Sequence, residues 1–160
     1  MKGLKEFVQE SLNIENIWRE PTEEELFATQ AFIEKKQITI LDLVHLVSVY
    51  QPNAHLRNTR FDRVWIGGRE APEGGVKLLA NLEKLLEWAN EDAIEPWSTH
   101  ASYEYYHPFT DGNGRSGRAL WANMMYRKGY DFRYKFLQMY YYQTLDIYSK
   151  DKEKHETIDN

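Results

Sequence analysis

Apolar residues recur three and four positions apart through most of the chain, which is the period of an amphipathic helix. The pattern predicts helices at about 22–36, 38–50, 76–90 and 96–106, a further one from Arg115, and an aromatic one at about 134–148. Thr22 and Thr39 each precede an acidic residue by three positions, as in the capping box that opens a helix. Pro52 stands where the second helix should stop, and Pro96 where a first turn tolerates proline. The residues expected on the buried face of the second helix are Ile40, Leu43, Val44 and Val47.

The helical period breaks in the region 52–75, where the pattern becomes that of short strands. Val64-Trp65-Ile66 is an apolar and aromatic run, and Gly67-Gly68 follows it at the position of a tight turn. The chain then returns toward Pro72, which favours a small β-hairpin. The sequence contains no other strand signal, so it predicts an all-α domain with one hairpin inserted between helices.

Length and composition fit a single domain that covers 1–160. Hydrophobic residues make up 42% of the chain and aromatic residues 14%, which is enough apolar surface for a core. Asp and Glu outnumber Lys and Arg by 25 to 20, for a formal charge of −5, whereas nucleic-acid-binding proteins usually carry a basic surplus. We therefore expect no nucleic-acid partner.

The chain has no cysteine, which excludes disulfides and cysteine-based zinc sites and favours a reducing compartment such as the cytoplasm. Residues 1–10 lack the apolar core of a signal peptide. No stretch approaches the roughly 18 apolar residues that a membrane span needs, so we expect no membrane partner. The charged tail at 149–160 is expected to fray.

One polar segment, HPFTDGNGRSGR from His107 to Arg118, concentrates groups that can carry chemistry. His107 is a candidate general base, and Asp111 is a carboxylate suited to a hard cation. Glycines let backbone N–H groups converge on an anion, and the positive end of the following helix adds to that field. Arg115 and Arg118, three positions apart, would project from one side of that helix. Together these groups are the parts of a phosphate-binding site.

Other interpretations of this segment fit less well. Gly112-x-Gly114-x-x-Gly117 matches the dinucleotide-binding fingerprint, but that motif needs a preceding strand, and here a helix precedes it. The chain contains no Gly-Lys-Ser/Thr for a Walker loop. Glu104-x-x-His107 resembles half of a di-iron carboxylate site, which needs several more inward-facing glutamates. The remaining alternative is that the segment is only a glycine- and asparagine-rich connecting loop and that its histidine has no catalytic role.

The segment resembles the signature of the Fic family, HxFx(D/E)GNGRxxR, and matches it at every fixed position. The preceding stretch from His100 to Glu104 is similar to the His-Ala-x-aromatic-Glu sequence of many members. Arg57, together with Val64 to Gly68, resembles the segment that leads into the family's hairpin flap. The resemblance covers about residues 7–148 and implies a Fic-like helical bundle with the hairpin as its flap.

Fic proteins are mostly AMP transferases, which move AMP from ATP to a Tyr, Ser or Thr hydroxyl of a target protein and release pyrophosphate. The resemblance implies that His107 is the general base, and an imidazole with a pKa near 6.5 suits that task. It implies that Asp111 holds Mg²⁺ as the cofactor beside the co-substrate ATP. Phe109 would anchor the loop in the core. The residues implied to bind the nucleotide are Gly112, Asn113, Gly114, Arg115 and Arg118.

The segment Ser11-Leu12-Asn13-Ile14-Glu15-Asn16 resembles the family's inhibitory motif (S/T)xxxE(G/N). In members that carry this motif, the glutamate pairs with the second arginine of the signature, here Arg118, and displaces the γ-phosphate of ATP. The resemblance therefore implies an inhibitory helix at 7–20, in which Ser11, Glu15 and Asn16 are the motif residues.

The flap residues implied to dock a target protein as an added strand are Val64, Trp65, Ile66 and Gly67. The identity of the target stays open, as does self-modification of exposed hydroxyls. Two other functions also stay open. Glu15 could support the removal of AMP from a modified target, which is a hydrolase activity, or the fold could be a catalytically idle interaction module. The intact His107, Asp111 and Arg118 favour an enzyme.

Overall fold

The computed structural model describes residues 1–130 and Leu145, and these contain six helices and one hairpin. The helices are α1 (Leu4–Ile14), α2 (Glu23–Ile33), α3 (Ile40–Tyr50), α4 (Val76–Asn90), α5 (Pro96–Tyr106) and α6 (Asn113–Arg127). The strands, between α3 and α4, are β1 (Trp65–Ile66) and β2 (Arg69–Glu70). The prediction of an all-α domain with one inserted hairpin is confirmed. None of these helices is long and apolar enough to cross a membrane. Except for Leu145, the helix predicted at 134–148 lies outside the described residues, as does the tail at 149–160.

Local sequence signals start α2 and α3 where the pattern predicts. Thr22 Oγ1 accepts a hydrogen bond from the N–H of Glu25 at 3.1 Å, and the Glu25 carboxylate accepts one from the N–H of Thr22 at 2.8 Å. Thr39 and Asp42 form the same reciprocal pair at the start of α3. Each capping box satisfies two of the N–H groups that a helix start leaves open.

Helix α6 runs through the centre of the bundle and packs against α1, α2, α3 and α5. Its residues from Asn113 to Met124 are buried, except for Gly114, which is half-buried. Fully buried leucines from four helices contribute to the core: Leu12, Leu43, Leu82 and Leu120. The burial of this apolar surface is the main favourable contribution to folding. It also places the start of α6, with its two arginines, inside the protein.

The hairpin is antiparallel, with Trp65 opposite Glu70. Gly67 in its turn has φ 59°, a left-handed conformation that glycine adopts without a Cβ clash. Arg63 donates to both carboxylate oxygens of Glu70, at 2.5 and 2.7 Å. Because an isolated two-stranded hairpin is only marginally stable, this bidentate pair helps to hold the two arms together.

The bounds of α1 differ from those of the inhibitory helix predicted at 7–20. The helix begins at Leu4 and ends at Ile14. It stops early because Asn16, with φ 58°, turns the chain out of the helical path. The segment that carries the predicted inhibitory motif is therefore a helix followed directly by a turn.

Two details of the neighbouring helices also differ from the prediction. Helix α2 ends at Ile33 and not near Lys36. In α3, Leu46 is buried, whereas Val44, which was expected inside, is 37% exposed. The buried face of α3 is formed by Leu43, Leu46, Val47 and Tyr50. Since every residue from Leu43 to Val49 except His45 and Ser48 is aliphatic, the position of the neighbouring helices, and not the hydrophobic pattern, decides which face is buried.

Asn123 on α6 is fully buried, and its Nδ2 donates to the carbonyl oxygens of Phe32 at 3.4 Å, Ile33 at 3.0 Å and Lys35 at 2.8 Å. We predict that Asn123→Ala lowers the free energy of unfolding by about 1–3 kcal/mol, because it removes the side-chain donor from the carbonyls of Ile33 and Lys35, whereas the Phe32 carbonyl still accepts from the N–H of Lys35. Urea denaturation followed by circular dichroism measures this change. Ser48→Ala, on the exposed side of α3, is the control and should change stability by less than about 0.5 kcal/mol. An equal loss in both variants would contradict the assignment.

Candidate active site

The segment between α5 and α6 is a tight loop held by its own side chains. His107 follows α5 with φ 50°, a left-handed conformation that is uncommon for residues other than glycine. Phe109 is 1% exposed and lies in the core, as expected. Asn113 Oδ1 accepts from the N–H of Phe109, and Asn113 Nδ2 donates to the carbonyl of Phe109, both at 2.8 Å. The Asn113 side chain thus closes the loop. Because its side-chain amide is used in these two bonds, the backbone N–H of Asn113 is the group that can face a ligand.

Helix α6 begins at Asn113, slightly earlier than the predicted Arg115, and Gly112 is its N-cap residue. Gly112 has φ 78°, and a Cβ there would lie 3.3 Å from Val47 Cγ1, so both conformation and space favour glycine. Glycine has no side chain to cap the first turn. The N–H groups at the positive end of α6 are therefore suited to binding an anion.

Arg118, on α6, is fully buried and is held by the last turn of α1. Its Nε donates to Ser11 Oγ at 2.8 Å, and its Nη2 donates to the Ser11 carbonyl at 3.0 Å and to Glu15 Oε1 at 2.6 Å. The Glu15 side chain is 31% exposed, so it forms the outer side of this pair. A Cβ at position 114 would overlap Glu15 Oε1. Glycine at that position is therefore what lets the carboxylate approach the first turn of α6.

The turn after Glu15 explains why this carboxylate stands at the tip of α1. The N–H of Ile17 donates to the Leu12 carbonyl and the N–H of Asn16 to the Asn13 carbonyl, both at 3.0 Å. These two bonds form a Schellman motif, in which Asn16 adopts the left-handed conformation. Glycine and asparagine adopt that conformation most readily. A Gly or Asn directly after the glutamate therefore ends the helix there and leaves the carboxylate free to reach α6.

Arg115 and Asp111 occupy the side of the loop that faces the end of α3. Arg115 Nη1 donates to the Tyr50 carbonyl at 3.4 Å, and its guanidinium carbon lies 5.5 Å from the centre of the Tyr50 ring. Asp111 Oδ1 lies 3.6 Å from Arg115 Nη2, and its Oδ2 accepts from Gln51 Nε2 at 2.8 Å. Within the described part of the chain, Arg115 Nε is buried and has no hydrogen-bond partner. The guanidinium therefore keeps a donor available for an anion.

Asp111 is the loop residue that could hold a metal ion. Its side chain is 60% exposed, unlike the two buried arginines. Mg²⁺ is usually bound by one or two carboxylates, and substrate phosphates and waters complete its octahedron. Among the residues that the structure describes, no group of three or more His, Cys, Asp or Glu could hold a metal by itself. The single open carboxylate fits a Mg²⁺ that is bound together with phosphate oxygens.

The His107 side chain is 20% exposed, and its Nδ1 lies 3.4 Å from the backbone carbonyl of Glu104. Burial lowers the pKa of His107 to about 4; the Glu104 hydrogen bond and Glu15 oppose this, and Arg57 and Arg69 reinforce it. The expectation of an ordinary pKa near 6.5 is therefore wrong for the folded chain, and the imidazole is neutral at pH 7. Since Nδ1 faces a carbonyl and carries the proton, Nε2 is the basic nitrogen.

His100 and Glu104 on α5 form a buried titratable pair to which sequence reasoning assigned no role. A Cβ at Gly117 on α6 would lie 2.6 Å from Glu104 Oε1 and 3.1 Å from His100 Nδ1, so glycine allows the two helices to approach. Burial lowers the pKa of His100 to about 3. Burial also raises the pKa of Glu104 to about 8, which Arg118 opposes and Glu15 reinforces. Both groups are neutral near pH 7.

The residues predicted to form the flap all lie in or beside the hairpin: Val64, Trp65, Ile66 and Gly67. Trp65 is 57% exposed, and the Arg63 guanidinium lies 5.1 Å from its ring centre. On the other strand, the Arg69 guanidinium lies 4.9 Å from the ring centre of Tyr105, near the end of α5. The hairpin thus exposes an aromatic side chain to solvent while its second strand contacts the helix that leads into His107.

We predict that Glu104→Gln gains stability relative to the wild type as the pH rises from about 4.5 to about 8. The folded pKa of Glu104, about 8, lies above the ordinary value of 4.5. The unfolded chain therefore loses its proton first, and the wild type is destabilised across this window. The neutral amide has no such dependence, and we expect a relative gain on the order of 1–3 kcal/mol. Urea denaturation of both proteins at about pH 4.5 and about pH 8 measures this difference in the free energy of unfolding. Glu24→Gln, on the exposed start of α2, is the control, and an identical pH dependence in both variants would contradict the prediction.

Known proteins that are similar in sequence bear on this site. The Fic/DOC family profile matches residues 45–125, which is just over half of the chain. The protein adenylyltransferase Fic of Drosophila persimilis is 29% identical over 114 residues, which cover 65% of this chain and 22% of that protein. The proteins of the same name in Drosophila willistoni and Drosophila virilis are 27% and 26% identical over 114 residues, 65% of this chain and 23% of each relative. The chain thus spans about a fifth of the length of these curated relatives. By the family match and by the loop that joins α5 to α6, the chain belongs to the Fic/DOC family.

Proposed function

We propose that this chain is a protein adenylyltransferase that moves AMP from ATP to a Tyr, Ser or Thr hydroxyl of a target protein, and that Glu15 keeps it inactive. The observation that carries the proposal is the 2.6 Å contact between Glu15 Oε1 and Arg118 Nη2. The intact signature and the relatives named protein adenylyltransferase support the reaction. The open carboxylate of Asp111 and the uncapped start of α6 support a nucleotide with Mg²⁺ as its ligand.

His107 is the general base in this proposal. With Nδ1 protonated toward the Glu104 carbonyl, Nε2 accepts the proton of the target hydroxyl. The hydroxyl oxygen forms a bond to the α-phosphorus of ATP, and the bond from that phosphorus to the bridging oxygen of pyrophosphate breaks. AMP stays on the target, and pyrophosphate leaves with the electron pair. The negative charge of a bound nucleotide would raise the low pKa of His107 toward the working pH.

The phosphates of ATP would lie at the N-terminus of α6, where the helix dipole favours negative charge. The backbone N–H groups that would cradle them belong to Asn113 and Gly114, and to Gly112 once its N–H is released from Asp111 Oδ1. Arg115 and Arg118 would bind the β- and γ-phosphates. Asp111 would hold Mg²⁺, which neutralises charge on the leaving pyrophosphate when it is bound.

The target would dock on the hairpin. An extended segment that pairs with a strand edge gains main-chain hydrogen bonds, and side chains such as the exposed Trp65 add contact area. The hairpin contacts α5 through Arg69 and Tyr105, so a docked segment would pass near His107. Exposed hydroxyls of a second copy of this chain are candidate acceptors as well.

Inhibition follows from competition for one guanidinium. Arg118 has no exposed surface, and its Nε and Nη2 are already used by Ser11 and Glu15. A γ-phosphate needs the same donors, so ATP must displace the Glu15 carboxylate to be bound fully. Helix α1, with Asn16 as the residue that ends it, would then be the inhibitory element. Its effect is an equilibrium between an occupied and a freed arginine.

The position of Glu15 also supports an alternative activity, the removal of AMP from a modified target. Its carboxylate is 31% exposed and lies against Gly114 at the proposed phosphate site. A carboxylate there could position a water molecule for hydrolysis. The intact His107, Asp111 and Arg118 argue against the third reading, a catalytically idle interaction module.

We predict that Glu15→Gly raises the rate of AMP transfer. Losing a coupling of about 1–3 kcal/mol between Glu15 and Arg118 would raise the rate roughly 5- to 150-fold. Radiolabelled ATP with a cell lysate, and with the chain alone, measures transfer to targets and to itself. Glu6→Gly, exposed on the same helix, is the matched control and should leave the rate unchanged. Equal transfer by wild type and Glu15→Gly would refute inhibition by Glu15, and a loss of AMP removal in Glu15→Gly would favour the hydrolase.

We predict that His107→Ala, placed in the Glu15→Gly chain, reduces transfer by about 10²- to 10⁴-fold, because the hydroxyl proton then has no acceptor. ATP affinity, measured by calorimetry, should stay nearly unchanged, since the base acts on the target and not on the nucleotide. His45→Ala, an exposed histidine on α3, is the control. Full transfer activity in His107→Ala would remove the basis for the assigned role.

A further inference from the structure

Arg57 lies in the loop between α3 and the hairpin, and its side chain is among the largest that are fully buried. Its guanidinium donates to four backbone carbonyls. Nε donates to Asp62 at 2.8 Å, and Nη2 donates to Pro72 at 2.5 Å. Nη1 donates to Tyr106 at 3.1 Å and to His107 at 2.8 Å. One side chain therefore joins the outer ends of both arms of the hairpin, just before β1 and just after β2, to the end of α5.

The backbone of Arg57 is fixed in the same way. Its N–H donates to the Pro108 carbonyl at 2.8 Å, and its carbonyl accepts from the N–H of Gly75 at 2.9 Å. A Cβ at Gly74 would lie 3.0 Å from the Arg57 carbonyl oxygen and would overlap the carbonyl oxygen of Thr59. The packing around Arg57 thus leaves little freedom for it to shift.

These bonds meet around His107, whose backbone conformation is uncommon for residues other than glycine. His107 has φ 50°, and it follows the last turn of α5, where carbonyls lack partners within the helix. The Arg57 guanidinium donates hydrogen bonds to two of those carbonyls. Its positive charge is also favourable at a helix C-terminus. The other charged or titratable groups that act on the His107 imidazole are Glu104 on α5, Glu15 after α1, and Arg69 on β2.

We propose that Arg57 is a positioning residue that holds His107 and the two arms of the hairpin as one unit, so that a target docked on the hairpin presents its hydroxyl to the imidazole. The proposal rests on the proposed transferase function for its consequence, but its structural part can be tested without any target. It differs from an ordinary buried arginine because the groups it joins are the proposed docking element and the proposed base.

A lysine cannot replace Arg57 in this role. The guanidinium is planar and donates in several directions at once, whereas an ammonium is a compact point charge with three donors. Four carbonyls from three segments need the wider fork. Arg57→Lys therefore keeps the charge and most of the stem but loses the joint contact, which separates the effect of geometry from that of charge.

The first experiment uses Arg57→Lys and Arg57→Met in the full chain, with Arg60→Lys, an exposed neighbour, as the control. Amide hydrogen exchange should accelerate at least about 10-fold in the hairpin and in residues 106–109 together, in both Arg57 variants. NMR titration should show the pKa of His107 rising from about 4 toward its ordinary value, because the imidazole becomes more exposed. Arg60→Lys should change neither quantity.

The second experiment measures function in the Glu15→Gly background, with labelled ATP and the His107→Ala chain as acceptor. We expect kcat/KM for transfer to fall on the order of 100-fold in Arg57→Lys, while ATP affinity stays nearly constant, because the base and the docking element are misplaced and the phosphate site is not. If the Glu15→Gly parent transfers no AMP to this acceptor or to the proteins of a cell lysate, the proposed function fails, and the first experiment still decides the role of Arg57.

Three results would overturn the proposal. Exchange could accelerate in the hairpin alone, with the His107 titration unchanged, which would show two independent elements. ATP affinity could fall as much as transfer does, which would indicate general disruption. Both Arg57 variants could fail to fold by circular dichroism, which would make Arg57 a residue required for folding and not a positioning residue.

Discussion

A guanidinium without exposed surface, that of Arg118, is the constraint on which the rest of this structure depends. Moving a cation out of water costs several kcal/mol unless an anion and further acceptors replace the water. The last turn of α1 supplies both, through Ser11 and Glu15. A carboxylate at a helix C-terminus is unfavourable because it faces the negative end of the helix dipole. The positive charge of Arg118 offsets this cost for Glu15. Helices α1 and α6 are joined by this mutual requirement.

The loop beside this pair is held in shape by hydrogen bonds within the chain. Asn113 closes it from within, and Arg57 ties its start to the hairpin. Donors that are already in place need little reorganisation when charge develops during a reaction. In the proposed function, the inhibited and active states therefore differ at the contacts of Arg118 and share the same loop. Release of one ion pair, and no refolding of the site, would be enough to activate the chain.

Much of this arrangement could be predicted from the sequence because the signals are local. The helical period and the capping boxes predicted α2, α3, α4 and α5 to within a few residues, and Val64 to Gly68 predicted the hairpin. The inhibitory motif predicted that Glu15 would meet Arg118, although the two residues lie far apart in the chain. That inference came from resemblance, since no local pattern connects α1 with α6.

The features that could not be predicted arise from packing between distant segments. Val44 is exposed because the neighbouring helices cover a different face of α3. Asn113 was expected to bind the nucleotide, but nothing in the sequence indicated that its side-chain amide closes the loop on Phe109, which depends on the path of the backbone. The low pKa of His107 and the high pKa of Glu104 come from burial, which composition does not reveal. Arg57 was expected only as part of the segment that leads into the flap, and its bonds to four carbonyls depend on where distant segments pack.

The central claim is that Glu15 occupies the donors of Arg118 that a γ-phosphate would use. It is tested most directly by calorimetric affinities for ATP and AMP, in the His107→Ala chain with and without Glu15→Gly, so that no turnover disturbs the measurement. The account predicts that removing Glu15 tightens ATP binding roughly 5- to 150-fold and changes AMP binding by less than about 2-fold, because AMP has no γ-phosphate. Equal ATP affinities in the two chains, or an equal gain for AMP and ATP, would contradict it.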